Sequence, residues 1–325
     1  MKKSFKKAVS LTLLVLICVP MLLLLCACEP EYYENGVCAK IYNKNTPNGY
    51  ARVCEVDSND ANVCVIPAYI TYKGLTYPVR EIGPYGAFLF NKGYSTLCRD
   101  LEELVIPETV TFFDIDSYLS IWSDQFDTLK RITVSSDNTV YSSEDGVLYS
   151  DGGRELLFYP PAKEGEVMHI GKDVTSINFA ECNFRNRNIR TVEVAEGNRY
   201  FKAVDGVLCS HDGKTLLYVP IMDYYFNGYF TIPDGIEVIS EYCFGFGHTN
   251  IKHVFIPQSV KTMEYTIAEN GYISHAFARS IRNLYFESET APDYLANLKL
   301  SEYYRLHFGV TREEFQALDE ASRLG

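Results

Sequence analysis

The side chains that could do chemistry are few and scattered along the sequence. His248 and His253 are five residues apart and flank a predicted turn; a shared metal ion is possible there, but two solvated histidines are the favoured interpretation. Asp114-Ile115-Asp116-Ser117 offers two carboxylates, whereas a calcium loop needs more oxygen ligands at further spacings. Asp145 and Asp205 could suggest acid catalysis, yet each precedes a glycine, where aspartate favours a turn.

Known catalytic motifs are absent from the sequence. It contains no GxSxG, no HExxH, no phosphate-binding P-loop and no glycine-rich dinucleotide loop. We therefore predict a protein without catalytic residues, without a metal ion and without a cofactor.

The ten cysteines give no zinc motif. Three lie at the N-terminus, and the remaining seven include no CxxC or CxxxC spacing. Cys64, Cys209 and Cys243 sit inside apolar patterns and are interpreted as small buried side chains. Cys38 and Cys54 could bridge a hairpin near the start of the mature chain or remain reduced; the sequence leaves both alternatives open. Seven is an odd number, so full pairing within one chain is impossible.

The first 28 residues indicate export. Four lysines precede an apolar run from Ala8 to Leu25, which is the arrangement of a secretory signal. The run ends Leu25-Cys26-Ala27-Cys28, and this tetrapeptide resembles the lipoprotein box of bacterial lipoproteins. The resemblance implies that residues 1–27 are a cleaved signal peptide and that Cys28 carries the lipid. The alternative is an uncleaved membrane anchor. Both interpretations place the chain after residue 28 outside the cytoplasm.

The net charge argues against nucleic acid as a partner. The whole chain carries −12, and removing the signal peptide takes away four lysines and no acid, which leaves about −16. A field of this sign repels phosphate backbones and anionic lipid surfaces.

One apolar pattern recurs along most of the chain. The pattern is an apolar residue, two others, a second apolar residue, one other and a third apolar residue, and it appears in "LEELVI", "LKRITV", "IRTVEV", "IKHVFI" and "IRNLYF". The last two apolar positions alternate as in a strand with one buried face, and the first is a hydrophobic plug in the preceding turn. Strands are predicted to start near residues 64, 104, 132, 168, 192, 230, 254 and 284. The shortest step, 24 residues, lies in the leucine-rich-repeat range.

A second apolar pair, spaced by three, follows several of these strands and predicts a second short strand or turn. The pairs are Val110/Phe113, Val174/Ile177, Ile236/Ile239 and Val260/Met263.

Two longer segments share Asp-Gly-Val-Leu, a Ser, a Gly, Leu-Leu and a closing Pro at the same offsets. "DGVLYSDGGRELLFYP" at 145–160 returns sixty residues later as "DGVLCSHDGKTLLYVP" at 205–220. Each has two apolar arms around an Asp-Gly turn, which predicts an antiparallel hairpin inserted into alternate repeats.

The stretches "LEELVIPETV", "VSSDNTVYSSEDGVLYS" and "FTIPDGIEVISEYCF" resemble the BspA-type leucine-rich repeats of bacterial surface proteins. The resemblance covers about residues 60–290. It implies a β-rich solenoid of short strands with inserted β-hairpins, and adhesion to host matrix proteins. Within it we predict an N-terminal linker and capping hairpin at 28–60, a leucine-rich repeat solenoid at 61–290 and a C-terminal helical cap or tail at 291–325.

Two C-terminal helices are predicted in that last region. "DYLANLKLSEYYRLHF" has helix-like apolar spacing, and "TREEFQALDEASRLG" opens with Thr-x-x-Glu, a capping box.

The residue between the two buried positions of each repeat strand should point outward. If the strands align, these residues form one row, the candidate binding face, for a protein or glycan at the cell surface. Ordinary sheet packing, or cover by the inserted hairpins, is the alternative. The predicted function is a lipid-anchored, non-catalytic binding module on the extracellular face of the bacterial membrane; the alternative is a structural or assembly scaffold of the envelope. The candidate residues are Val105, Thr133, His169, Glu193, Thr231, Phe255 and Tyr285.

Overall fold

The structure is a computed structural model. It describes residues 32–34, 37–56, 62–83, 100–114, 128–179, 186, 188–220, 228–241, 243–245, 250–267, 273–275, 277, 280–296, 298 and 300–324. The predicted signal peptide and lipoprotein box, the Asp116 carboxylate, His248 and most of the aromatic stretch "DYYFNGYF" at 223–230 lie outside these residues.

Short strands are the main regular structure of the described chain, and one α-helix follows them. The strands are β1 (Tyr32–Glu34), β2 (Val37–Tyr42), β3 (Tyr50–Val56), β4 (Val63–Val65), β5 (Tyr69–Tyr72), β6 (Leu75–Ile82), β7 (Glu103–Ile106), β8 (Phe112–Phe113), β9 (Arg131–Val134), β10 (Tyr141–Glu144), β11 (Val147–Ser150), β12 (Glu155–Phe158), β13 (Val167–Ile170), β14 (Ser176–Ile177), β15 (Thr191–Val194), β16 (Phe201–Val204), β17 (Val207–Ser210), β18 (Thr215–Tyr218), β19 (Tyr229–Thr231), β20 (Val238–Ile239), β21 (His253–Ile256), β22 (Thr262–Met263), β23 (Tyr265–Ile267), β24 (Ile273–His275), β25 (Asn283–Phe286) and β26 (Arg305–Phe308). The helix α1 spans Arg312–Leu324.

Parallel ladders are the main feature of the fold. They run in the orders β4-β7-β9, β13-β15 and β19-β21-β25-β26, and each of the eight predicted strands begins one residue before its expected position. The predicted plug before five of these strands is fully buried in every case. Its members are Leu101, Leu129, Ile189, Ile251 and Ile281. Each strand thus buries apolar side chains against a neighbour because its own repeat is too small to cover them.

The second apolar pairs form the two-residue strands β8, β14, β20 and β22, which confirms the prediction of a second short strand. These strands extend a separate set of parallel pairings: β6 with β8, β12 with β14, β18 with β20, and β20 with β22.

The two inserted segments form three-stranded antiparallel units. The predicted arms are β11 with β12 and β17 with β18, and β10 and β16 add a third strand to each through the turns at Asp145-Gly146 and Asp205-Gly206. Each turn meets the edge of a ladder: Ile132 N donates to Gly146 O at 2.9 Å, and Val192 N donates to Gly206 O at 2.9 Å. The insertions therefore occupy the edges of β9 and β15, where the ladders end.

The N-terminal region forms a sheet in the order β1-β2-β3-β6-β5. Its β2–β3 hairpin contains Cys38 and Cys54, which are both buried and are not joined by the possible disulfide. Cys64, Cys209 and Cys243 are buried as interpreted, and burial raises the pKa of Cys209 to about 12.

The prediction of the first of the two C-terminal helices is wrong. Its segment forms 3₁₀ turns at Asp293–Leu295 and Leu300–Glu302 and then β26, which pairs in parallel with β25. The unpaired backbone groups along the edge of β25 favour an added strand over the helix that the local spacing suggested. Leu298, Leu300 and Tyr304 still bury their side chains in the core.

The second predicted helix is confirmed as α1, together with its capping box. Thr311 N donates to Glu314 Oε2 at 2.8 Å, and Glu314 N donates to Thr311 Oγ1 at 3.2 Å. Two of the unpaired backbone donors at the helix start are satisfied in this way.

Candidate binding face and cleft

The seven candidate face residues lie in register within three separate ladders. Val105 pairs with Thr133 in the first ladder and His169 with Glu193 in the second. Thr231, Phe255 and Tyr285 align in the third. The predicted row is therefore divided into three groups.

The C-terminal group is not an open surface. Phe255 is 0% exposed and Tyr285 is 8% exposed, so the expectation that these two side chains face solvent is wrong. Phe315 of α1 covers them, with ring centroids 5.5 Å from Phe255 and 5.1 Å from Tyr285. Three neighbouring aromatic strand positions, the third being Tyr229, create an apolar layer that is more stable under a helix than in water. The cover comes from α1 and not from the inserted hairpins.

His253 belongs to this aromatic layer. Its ring stacks on Tyr229 at 4.1 Å, and its Nδ1 lies 3.3 Å from the Tyr285 hydroxyl. Burial lowers the pKa of His253, and the positive charges of Lys252 and His307 act in the same direction. Among the described residues no group of three or more His, Cys, Asp or Glu side chains could hold a metal ion.

We predict that Phe315→Ala releases α1 while leaving the ladders folded. Phe315 is the one buried residue among the described side chains of α1, and its loss removes about 3 kcal/mol of packing from the helix. Amide exchange across 312–324 should speed up at least tenfold, and tryptic cleavage after Arg312 should appear. Leu318→Ala, which removes an exposed apolar side chain from the same helix, is the control and should change neither. Unchanged exchange in the Phe315 variant would show that other contacts hold the helix.

The N-terminal group is polar and partly exposed. Arg131 Nη2 lies 2.6 Å from Glu103 Oε2, and Thr133 Oγ1 donates to Glu103 Oε1 at 2.7 Å. The hydrogen bond from Arg131 is the main cause that lowers the pKa of Glu103. Val105 stands beside this network, half-buried.

The central group lies at the rim of a cleft of about 350 Å³. His169 and Glu193 are both exposed, and His169 Nδ1 is 3.3 Å from Glu193 Oε2. The cleft opens where the first inserted segment meets β13 and β15. Its lining residues are Glu144, Asp145, Val147, Tyr149, Tyr159, Lys163, Val167, His169, Ile170, Gly171, Glu193, Val194 and Ala195.

Behind the rim, the polar groups of the cleft include the Lys163–Asp145 ion pair and the Tyr159 hydroxyl. Lys163 Nζ lies 2.7 Å from Asp145 Oδ2, and the lysine side chain is largely buried while the aspartate is exposed. Burial, with a smaller effect of the Asp145 carboxylate, raises the pKa of Tyr159 to about 12. The Tyr159 hydroxyl is therefore a hydrogen-bond donor at neutral pH.

Sequence reasoning missed the cleft, although it identified two residues of its rim. The one available signal was the step of 36 residues between the predicted strands at 132 and 168, which showed where an insertion separates two ladder strands. That the insertion leaves a cleft depends on how its turn meets the edge of β9.

Comparisons with known proteins find leucine-rich repeat proteins among the solved structures similar to this chain, at low identity. No protein-family model and no curated protein matches the sequence. Solved structures similar to it include a leucine-rich repeat protein from Eubacterium ventriosum, with 18% identity, a TM-score of 0.35 and 64% of this chain covered. The match spans 48% of that protein, about half its length.

Two further solved structures are matched over more of their length. The pneumococcal vaccine antigen PcpA has 12% identity and a TM-score of 0.31, with 86% of this chain and 99% of that chain covered. A leucine-rich cell surface protein from Faecalibacterium prausnitzii has 14% identity and a TM-score of 0.27, with 88% and 96% covered.

The paired ladders and buried plugs define the class of this chain as a strand-rich repeat protein. Within the part that the structure describes, no helix has both the length and the apolar character needed to cross a membrane.

Proposed function

We propose that this chain is a non-catalytic binding protein of the bacterial cell surface. Residues 61–290 form a leucine-rich repeat solenoid, residues 28–60 and 291–325 flank it, and a lipid on Cys28 anchors it to the outer face of the membrane. Its partner is a protein or glycan at the cell surface, host extracellular matrix included.

One observation carries the proposal. The exposed His169–Glu193 pair lies at the rim of a 350 Å³ cleft, while the equivalent positions of the third ladder are covered by α1. Concave sites with a few convergent polar groups are where proteins bind ligands. Of the three groups of the predicted face, the central one joins an exposed polar pair to a cleft, so binding is assigned to it.

The experiment is a binding survey with residues 29–325 immobilised through the C-terminus. Matrix proteins and glycan-bearing surfaces are passed over the wild-type chain and over the double variant His169→Ala/Glu193→Ala. We expect at least a tenfold loss of affinity in the double variant, because charged hydrogen-bonding partners at an interface each contribute on the order of 1 kcal/mol or more.

The matched control removes the same two residue types elsewhere. His211→Ala/Glu196→Ala replaces an exposed histidine and an exposed glutamate that do not line the cleft, and it should bind like wild type. Equal loss in both double variants would remove the central group from the proposal. If the wild-type chain binds nothing in the survey and co-purifies with envelope proteins, a scaffold of the envelope would be favoured instead.

A further inference from the structure

Tyr159 carries a polar atom that the fold does not use. The residue is 2% exposed and lines the cleft, yet within the described residues its hydroxyl has no hydrogen-bond partner. The hydroxyl oxygen itself is not fully enclosed and opens into the cleft. The hydroxyl is therefore available to donate a hydrogen bond to a molecule that enters the cleft.

The second inserted segment shows that the fold does not require this hydroxyl. Sixty residues later, the position that matches Tyr159 is Val219, which is buried in an equivalent turn after β18. Glu144 is likewise matched by Val204, and Tyr149 by Cys209. The same backbone unit thus forms with apolar side chains at these positions, so the polar set is specific to the first segment.

The cleft presents both hydrogen-bond donors and acceptors. The Tyr159 phenol and the Lys163 ammonium donate, while the carboxylates of Glu144, Asp145 and Glu193 accept. Between them lie apolar walls made by Val147, Val167, Ile170 and Val194. A ligand that satisfies this arrangement must have acceptors, donors and apolar C–H surface within a small volume.

The charge balance selects the class of ligand. Three carboxylates against one lysine make the cleft negative, which repels acidic sugars and carboxylate-bearing peptides. A basic side chain would find the carboxylates but would leave the Tyr159 hydroxyl unpaired and would face Lys163. A neutral sugar has hydroxyls that both donate and accept, and its C–H faces match the apolar walls.

We propose that the cleft between the first inserted segment and β13–β15 binds a neutral hexose or hexosamine residue, with the Tyr159 hydroxyl donating to a sugar oxygen. This inference rests on the proposed function and names the ligand class of the same site. A volume of about 350 Å³ falls at the lower end of small-molecule sites, which suits one sugar ring with part of a second.

Saturation-transfer NMR and calorimetry with residues 29–325 test the proposal. Glucose, galactose, mannose, N-acetylglucosamine and their neutral oligosaccharides are compared with sialic acid, glucuronic acid and a trilysine peptide. We expect binding of at least one neutral sugar and none of the charged probes. Tyr159→Phe removes a single hydroxyl and should weaken that Kd by about three- to tenfold, because one neutral hydrogen bond contributes roughly 0.5–1.5 kcal/mol.

Stability separates loss of binding from loss of folding. Tyr159→Phe should unfold at the same temperature as wild type, because it removes a hydroxyl that bonds to no described protein group. Tyr200→Phe removes a hydroxyl from an exposed tyrosine and should leave both binding and stability unchanged.

Three outcomes would overturn the inference: no neutral sugar binds, a charged probe binds in preference, or Tyr159→Phe binds as tightly as wild type. None of them removes the proposed function, because binding of a macromolecular partner at the rim is tested separately. That binding should be lost in the His169→Ala/Glu193→Ala variant whether or not a sugar enters the cleft. Conversely, sugar binding in a chain that captures no surface or matrix protein would confine its role to glycans.

Discussion

Replacing Asn198 with alanine should lower the free energy of unfolding by about 3 kcal/mol. Asn198 is 4% exposed and makes four hydrogen bonds to the main chain. Its Nδ2 donates to Gly171 O at 2.8 Å and to Val174 O at 2.9 Å. Its Oδ1 accepts from Tyr200 N and Phe201 N, both at 2.8 Å. Alanine leaves all four backbone groups without this partner in a place that water does not reach.

Urea denaturation followed by far-UV circular dichroism measures the effect. Asn188→Ala is the control, since the Asn188 side chain makes one exposed hydrogen bond, from Nδ2 to Lys163 O at 3.1 Å. We expect less than about 1 kcal/mol for that variant. Asn198→Asp, which keeps the acceptor and loses both donated bonds, should fall between the two. If Asn198→Ala and Asn188→Ala cost the same, the four bonds do not stabilise the fold as argued.

The reason for this asparagine lies in the repeat. Asn198 reaches back 24 and 27 residues to backbone carbonyls of the preceding repeat while it closes the turn that leads into β16. Asn138 makes the same set of bonds, to Pro107 O and Val110 O and from Val140 N and Tyr141 N. Each asparagine therefore joins consecutive repeats. Asn138 and Asn198 are sixty residues apart, as are the two repeated segments, but the carbonyls that they bind are apparent only when the repeats lie side by side.

The strand positions could be predicted because their signal is local. Alternation of apolar residues over four positions, as in Leu104 and Ile106, is produced by the strand itself, and the plug at Leu101 marks its start. The turns at Asp145-Gly146 and Asp205-Gly206 were equally local, since positive φ values favour these residues. For these strands the observed start differs from the predicted start by one residue.

The errors came from contacts between distant segments. Phe255 and Tyr285 do point away from the main core, as predicted, but their burial depends on where Phe315 docks. The segment that contains Arg305–Phe308 has helix-like spacing, and the free edge of β25 converts it into a strand. Tyr159 looked like an ordinary aromatic residue at the end of a hairpin arm. Its role in the cleft depends on the meeting of an insertion with β13 and β15, which no local pattern contains.

Gly146→Ala should be the second strongly destabilising change, at about 3 kcal/mol or more. Gly146 has φ +79°, where an L side chain is strained, and an added Cβ would lie 2.6 Å from Arg131 Cβ and 3.2 Å from Arg131 Cα. Neither atom is the flexible end of a side chain, so β9 or the turn must move. Movement would also weaken the hydrogen bond from Ile132 N to Gly146 O, which holds the insertion on the edge of β9.

Gly74→Ala isolates the conformational part of this cost. Gly74 also has φ +79°, but no atom lies within 4 Å of an added Cβ, so the expected loss is only about 1 kcal/mol. Gly206→Ala should lie between them, because its Cβ would meet the Thr191 Oγ1 at 2.7 Å and a hydroxyl end can rotate away. Thermal and urea unfolding of the three variants should therefore give the order Gly74, Gly206, Gly146. Equal losses of unfolding free energy in Gly74→Ala and Gly146→Ala would mean that the first insertion does not press against β9. The insertion would then not be held in place as a wall of the cleft, and the proposed sugar site depends on that wall.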